Sequence, residues 1–331
     1  MTARRNLTCC QAWTRAALCG VYKYSGAMAA HEWLARACGQ QFLSILLFHR
    51  VTDVIPEDGL TVSPRRFERI CRLLADRFQV VPLAEVFRLL HTGRPFPART
   101  LAITFDDSYR NNLDAAAVLA RYRLPATFFL PTAFVDTTRV FDWDRGLPHL
   151  PNLTWDDVRR LADLGFDIGS HTVSHANMGA VSAAQARYEL AESKAELERQ
   201  LRRPVRWFAY PYGGRQHLRP EYLPLIREVG YEGAVSAYGG FVWPGMDDAV
   251  LPREAVPYFR SLAHMELYLA GCLNWLYAIK GKASQPTREP WPYPPTEGEP
   301  PVAPVLSSPG RLAGEADAWA PPMPASSVGP P

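Results

Sequence analysis

Apolar residues along this chain come in short, nearly continuous runs, most of them followed by a stretch with helical spacing. Leu43 to His49 (LSILLFH), Leu101 to Phe105 (LAITF), Ala126 to Leu130 (ATFFL), Phe166 to Ser170 (FDIGS), Arg206 to Tyr210 (RWFAY) and Glu232 to Ser236 (EGAVS) are too short for helices and apolar on both faces. Such runs predict strands buried on both sides. Between them, SPRRFERICRLLADRF predicts a helix whose start is marked by Ser63-Pro64, and LDAAAVLARY predicts a second. A third opens with Ser182 and Gln185 as a capping box and carries Leu190, Leu197 and Leu201 along one face.

Buried strands that alternate with helices imply a parallel sheet covered by helices. The number of such units, roughly seven, predicts an α/β fold of the distorted (β/α) barrel type. A doubly wound open sheet is the second reading, but no GxGxxG follows a strand to favour it. The barrel domain is expected over residues 42–282. Residues 1–41, rich in alanine, read as an N-terminal helical extension, with Trp13, Leu18, Val21 and Tyr22 on an apolar side suited to peripheral membrane contact. Residues 283–331 read as a disordered tail, since 14 of the 30 prolines fall from Pro286 onward and few apolar residues there could build a core.

Hydrophobic residues make up 47% of the chain and charged residues 21%, as expected of a protein with a substantial core. The net charge of +3 comes without a dense basic stripe, which argues against a nucleic-acid partner. The six cysteines have no regular spacing and fit free thiols in a reducing compartment. The early apolar stretch is interrupted by Gln11, Thr14, Arg15 and Lys23, so no secretory signal is read there, and the expected location is the cytoplasm or the membrane periphery.

In a parallel barrel the chemistry collects at the carboxyl ends of the strands. His49-Arg50, Asp106-Asp107, His171 with His175, and Tyr210-Pro211-Tyr212 each follow one of the apolar runs. Asp106-Asp107 has a structural alternative, a helix N-cap. Otherwise, because neighbours on an extended chain point different ways, one carboxylate could bind a metal while the other faces a substrate water. His171 and His175 could be two loop histidines bonded to the backbone. On a helical turn, however, a spacing of four brings two imidazoles within reach of one cation. Two histidines and a carboxylate leave a coordination position open, the pattern of catalytic zinc.

TFDDSY (104–109), SHTVSH (170–175) and FAYPYG (208–213), in this order, closely resemble motifs one to three of the polysaccharide deacetylases, the NodB-homology domain of carbohydrate esterase family 4. ILLFHRV and LPREAV resemble the exopolysaccharide-associated branch of that family. The resemblance runs from Leu43 to about Lys280 and implies a distorted (β/α) barrel that removes acetyl groups from N-acetylated sugars with one divalent metal, zinc first and cobalt or nickel as alternatives. It implies Asp107, His171 and His175 as metal ligands and Asp106 as the base that takes a proton from the attacking water. A backbone N–H near Tyr212 would hold the oxyanion, and Thr172 and Ser174 would be supports. Trp143, Tyr210, Pro211 and Tyr212 are the candidate walls of a sugar cleft.

Three positions depart from the family pattern. No arginine stands in FAYPYG to pair with the base, and Arg253 is the candidate to supply that charge, an ordinary surface ion pair being the alternative. No late Leu-x-His supplies a general acid, since His264 lies in an apparent helix. His49 is favoured for that role over a structural histidine. Ser108 replaces a usual glycine. A related amidase or deformylase acting on a small or lipid-linked substrate, and a sugar-binding pseudoenzyme, are the competing functions.

Overall fold

A computed structural model of the protein describes residues 25–26, 30, 42–259 and 261–272. The expected N-terminal extension, with its membrane contact, and the proline-rich tail lie almost wholly outside these residues. The elements run β1 (Ser44–Phe48), β2 (Arg50–Val51), β3 (Thr61–Val62), α1 (Pro64–Arg77), β4 (Gln79–Val80), α2 (Leu83–His91), β5 (Thr100–Asp106), α3 (Asn112–Arg121), β6 (Thr127–Leu130), α4 (Trp155–Asp163), β7 (Asp167–Ser170), α5 (Ala183–Leu201), β8 (Trp207–Ala209), α6 (Leu223–Glu228), β9 (Gly233–Val235), β10 (Glu254–Ala255) and α7 (Leu262–Leu269). Each strand and helix predicted within residues 42–272 is present. Among the described residues no helix is long and apolar enough to cross a membrane.

The strands pair in parallel in the order β10-β1-β5-β6-β7-β8-β9, with β4 beside the start of β5. Leu251 bridges Val235 of β9, and three residues later Glu254 pairs with Leu46 of β1, so one short segment joins the two ends of the sheet. This is the curled barrel that the alternation of runs predicts.

A two-residue period sorts the side chains. Ile45, Ala102, Phe129, Trp207, Ala209 and Val235 pack together inside the barrel, over Phe87 of α2. Their neighbours Leu46, Ile103, Phe105, Phe128, Ile168 and Phe208 turn outward to the helices. Outside, Phe48, Phe105 and Phe128 stack across three adjacent strands, with centroid separations of 5.2 and 4.8 Å. Continuing the inward period past the last apolar residue leads to His49 after Ile45 and Leu47, and to Asp106 after Ala102 and Thr104. The register Phe48↔Phe105 makes these two the next neighbours.

On α5 the Ser182 hydroxyl accepts from the Gln185 N–H, as a cap should. The reciprocal half of the expected capping box is not made, because the Gln185 side chain donates instead to Glu189.

Glu254 faces outward on β10, where it accepts from the Tyr268 hydroxyl and the Gly240 N–H. Burial pushes its carboxyl up to about 7. A carboxyl raised in the folded state stabilises fully below its ordinary value and loses that contribution as pH rises through about 7. Glu254→Gln is therefore expected to flatten the fall in stability between pH 5 and 8, a contribution of roughly 3 kcal/mol. Urea unfolding at the two pH values checks it, and an unchanged slope would refute it.

Candidate metal and catalytic site

Four strand ends converge on one buried cluster. Asp106 closes β5, and Asp107 follows with φ of +67°. The chain leaves extended geometry there, so the two carboxylates do not diverge as neighbours on a strand would. Both come near the His171 Nε2, at 3.8 and 3.9 Å. His175 Nε2 lies 3.5 Å from Asp107. Ligand atoms of Asp107, His171 and His175 all fall within 4.8 Å of one another.

The two histidines meet without a helical turn, contrary to the expectation from their spacing. Residues 171–175 form an irregular loop in which Thr172 and His175 have φ of +68° and +60°. The imidazole centroids are nevertheless 4.8 Å apart. Glu189 of α5 holds the loop: its carboxylate accepts from the N–H groups of Val173 and Ser174 and from the Ser174 hydroxyl. The Thr172 hydroxyl accepts from the Ala176 N–H. Of eight non-glycine residues with positive φ among the described residues, Asp107, Thr172, His175 and Tyr212 belong to this site. Such conformations cost energy, most for a β-branched residue, and collect where function requires them. Gly169, two residues before His171, leaves room for the Phe129 ring, which a Cβ would meet at 2.4 Å.

The donors fit a divalent cation. Neither carboxylate oxygen of Asp107 accepts a hydrogen bond among the described residues, although both are buried. Burial first, then the charges of Asp106 and Asp144, push the Asp107 carboxyl well above its usual range. A buried carboxylate in that state calls for a cation. His171 Nδ1 lies 2.8 Å from the Ala209 carbonyl, which fixes the proton on Nδ1 and leaves Nε2 as a lone-pair donor. Burial holds the His171 imidazole down to about 3 and that of His175 well below its ordinary value, so both stay neutral, as ligands must.

Arg253 reaches Asp106 from the segment that joins the barrel ends. Its Nη1 and Nη2 donate to the two Asp106 oxygens at 2.6 and 2.5 Å, while Nε donates to the Ser236 carbonyl and Nη1 to the Thr104 hydroxyl. The guanidinium is fully buried, so the surface alternative for Arg253 does not hold. Nor is Asp107 or Ser108 a helix cap, since α3 begins only after Asn111.

His49 is buried at 8% exposure beside Asp106, and burial lowers its imidazole to about 3, with the Asp106 carboxylate pulling the other way. His264 sits in the first turn of α7 with its ring against Phe259. Trp143 and Tyr212 flank His175 at ring separations of 5.1 and 4.8 Å and stand 5.9 Å from each other, forming one wall. Tyr210 does not share in it: at 2% exposure its ring packs edge-on against Phe208 in the core, because the outward phase of β8 carries through it. Pro211 is buried as well. Sequence reasoning missed Glu189, whose signal was a carboxylate on the buried face of α5, and Phe141, 5.3 Å from the His175 ring.

Residues 93–234 match the polysaccharide deacetylase family model. YxkH of Bacillus subtilis (strain 168), whose name assigns it provisionally to the polysaccharide deacetylases, is 26% identical over 200 residues, 60% of this chain. The match spans 65% of the length of that relative. Two solved structures share the fold. One is the Streptococcus pyogenes deacetylase PplD in complex with acetate, with a TM-score of 0.58 and 22% identity over 69% of this chain and 97% of that one. The other is IcaB from Ammonifex degensii, with a TM-score of 0.57 and 21% identity over 70% of this chain and 97% of that one.

Proposed function

We propose that this protein is a metal-dependent hydrolase that removes N-acetyl groups from amino sugars in a polysaccharide or oligosaccharide. The observation that carries the reading is the buried Asp107 carboxylate without hydrogen bonds, facing two neutral imidazoles, beside an Asp106 gripped by Arg253. Asp107, His171 and His175 would hold the ion, with zinc favoured by this donor set. When bound, a divalent ion would supply a water of lowered pKa and polarise the amide carbonyl.

The chain's own residues supply the rest. Asp106 accepts the proton of the attacking water at a carboxylate oxygen, and Arg253, donating to both of its oxygens, keeps that carboxylate aimed. His49, beside Asp106, passes to the leaving amine the proton that Asp106 takes up during attack. The backbone N–H of Tyr212 stabilises the oxyanion. Trp143 and Tyr212 offer apolar faces to a sugar ring. The acetate in the PplD complex is consistent with acetyl removal in a protein of this fold.

The test is acetate release from N-acetylglucosamine oligomers after chelation, with zinc or cobalt added back. Release that returns with one metal per chain is expected. His49→Gln should lower it by about 10²–10⁴-fold with metal still bound. Metal binding without hydrolysis of any acetylated sugar would favour the pseudoenzyme, and absence of metal binding would overturn the site.

A further inference from the structure

Arg50 follows His49 and so points away from the site's interior, yet it is fully buried. An arginine in that position needs partners, and it has two carboxylates. Nη2 donates to Asp58 at 2.9 Å, and Nη1 donates to Asp144. Asp58 is itself fixed, accepting from the N–H groups of Leu60 and Thr61 in the loop that leads to β3. The other oxygen of Asp144 accepts from the Tyr109 hydroxyl at 2.6 Å, and that same hydroxyl accepts from the Trp143 indole N–H at 3.1 Å. The Arg50 guanidinium also lies 5.7 Å from the Tyr109 ring centre.

These bonds join three separate parts of the chain: β2 with the loop that follows it, the turn after β5 and the segment after β6. On that last segment, Phe134, Phe141 and Trp143 stack in file at 4.1 and 4.6 Å, with Tyr109 against Phe141. They form a small aromatic cluster apart from the main core. Its outer member, Trp143, lies against His175 together with Phe141. A short 3-10 turn, Asp142–Asp144, is the only regular structure there, so the main-chain ladder of a helix or strand does not fix the indole. A charged chain of side-chain bonds does.

We propose that Arg50, Asp144 and Tyr109 are positioning residues that hold Trp143 as a rigid wall of the sugar site, and that this strut sets how tightly the enzyme binds an extended substrate. The proposal rests on the deacetylase reading above. Its physical basis is preorganisation: an aromatic platform already held in place loses no side-chain freedom when a sugar stacks on it. A tryptophan on an untethered loop would have to be ordered by the substrate.

The test uses the zinc-loaded full chain and an N-acetylglucosamine tetramer. Tyr109→Phe keeps the ring and removes only the hydroxyl that links Asp144 to Trp143. It should raise KM at least fivefold, more than it changes kcat, with metal content unchanged. Trp143→Ala should raise KM as well, and the double variant should be no worse than Trp143→Ala alone, because Tyr109 acts through Trp143. Hydrogen exchange of residues 134–152 should quicken in Tyr109→Phe. Additive effects in the double variant, or unchanged KM and exchange in Tyr109→Phe, would overturn the proposal. Arg50→Met tests the same strut from its far end and should reproduce the faster exchange. Should the wild type hydrolyse no acetylated sugar, the deacetylase reading fails, and the exchange comparison then decides the strut by itself.

Discussion

Asp106→Asn is expected to reduce acetate release by about 10²–10⁴-fold, the usual contribution of a positioned base. Asparagine keeps the shape and one acceptor oxygen but cannot take a proton at neutral pH. The proposed metal ligands Asp107, His171 and His175 are untouched, so metal content should stay at one per chain. The substitution also removes the charge opposite Arg253, which is fully buried and donates to both Asp106 oxygens. A buried ion pair broken from one side typically costs about 3–5 kcal/mol, because the surviving charge is left in a poor solvent. Activity must therefore be read well below the unfolding transition, with a melting curve beside it. A folded, metal-loaded Asp106→Asn that keeps more than a tenth of wild-type turnover would remove Asp106 from the role of base.

Arg253→Met carries the second large effect, and it separates charge from packing. Methionine fills part of the volume but leaves the Asp106 carboxylate with no partner for its two oxygens. The expected stability loss is again about 3–5 kcal/mol, read by urea unfolding. Turnover should fall too, because a carboxylate without its guanidinium is less firmly aimed. Arg253→Lys should recover little of either. A single ammonium cannot reproduce the paired bonds to Asp106 together with the bond from Nε to the Ser236 carbonyl. Full recovery by lysine would show that charge alone suffices, and that the fork geometry contributes nothing.

Much of the site was legible because it obeys a period. Strands buried on both faces alternate inward and outward residues, and the inward phase of β1 and β5 leads to His49 and Asp106. Motif spacing then pointed to Asp107, His171 and His175. Two expectations failed, one because the chain past β7 leaves the helical template and the other because the chain past β8 keeps the strand period. Residues 171–175 were expected on a helical turn and form a loop with two positive φ values. Tyr210 was expected in the cleft, yet it continues the outward phase of β8 into the core.

The sequence by itself determined the parallel α/β architecture, six principal strands of the sheet and the short set of polar residues at their carboxyl ends, because hydrophobic periodicity and residue type act locally along the chain. Only the tertiary structure decided the pairings. Arg253 lies 147 positions from Asp106 and Asp144 lies 94 from Arg50, so each pair exists only once the barrel closes. Glu189 likewise reaches the histidine loop only when α5 packs back on β7. Such partners leave no periodic trace, since a buried charge is satisfied by whatever the fold brings beside it.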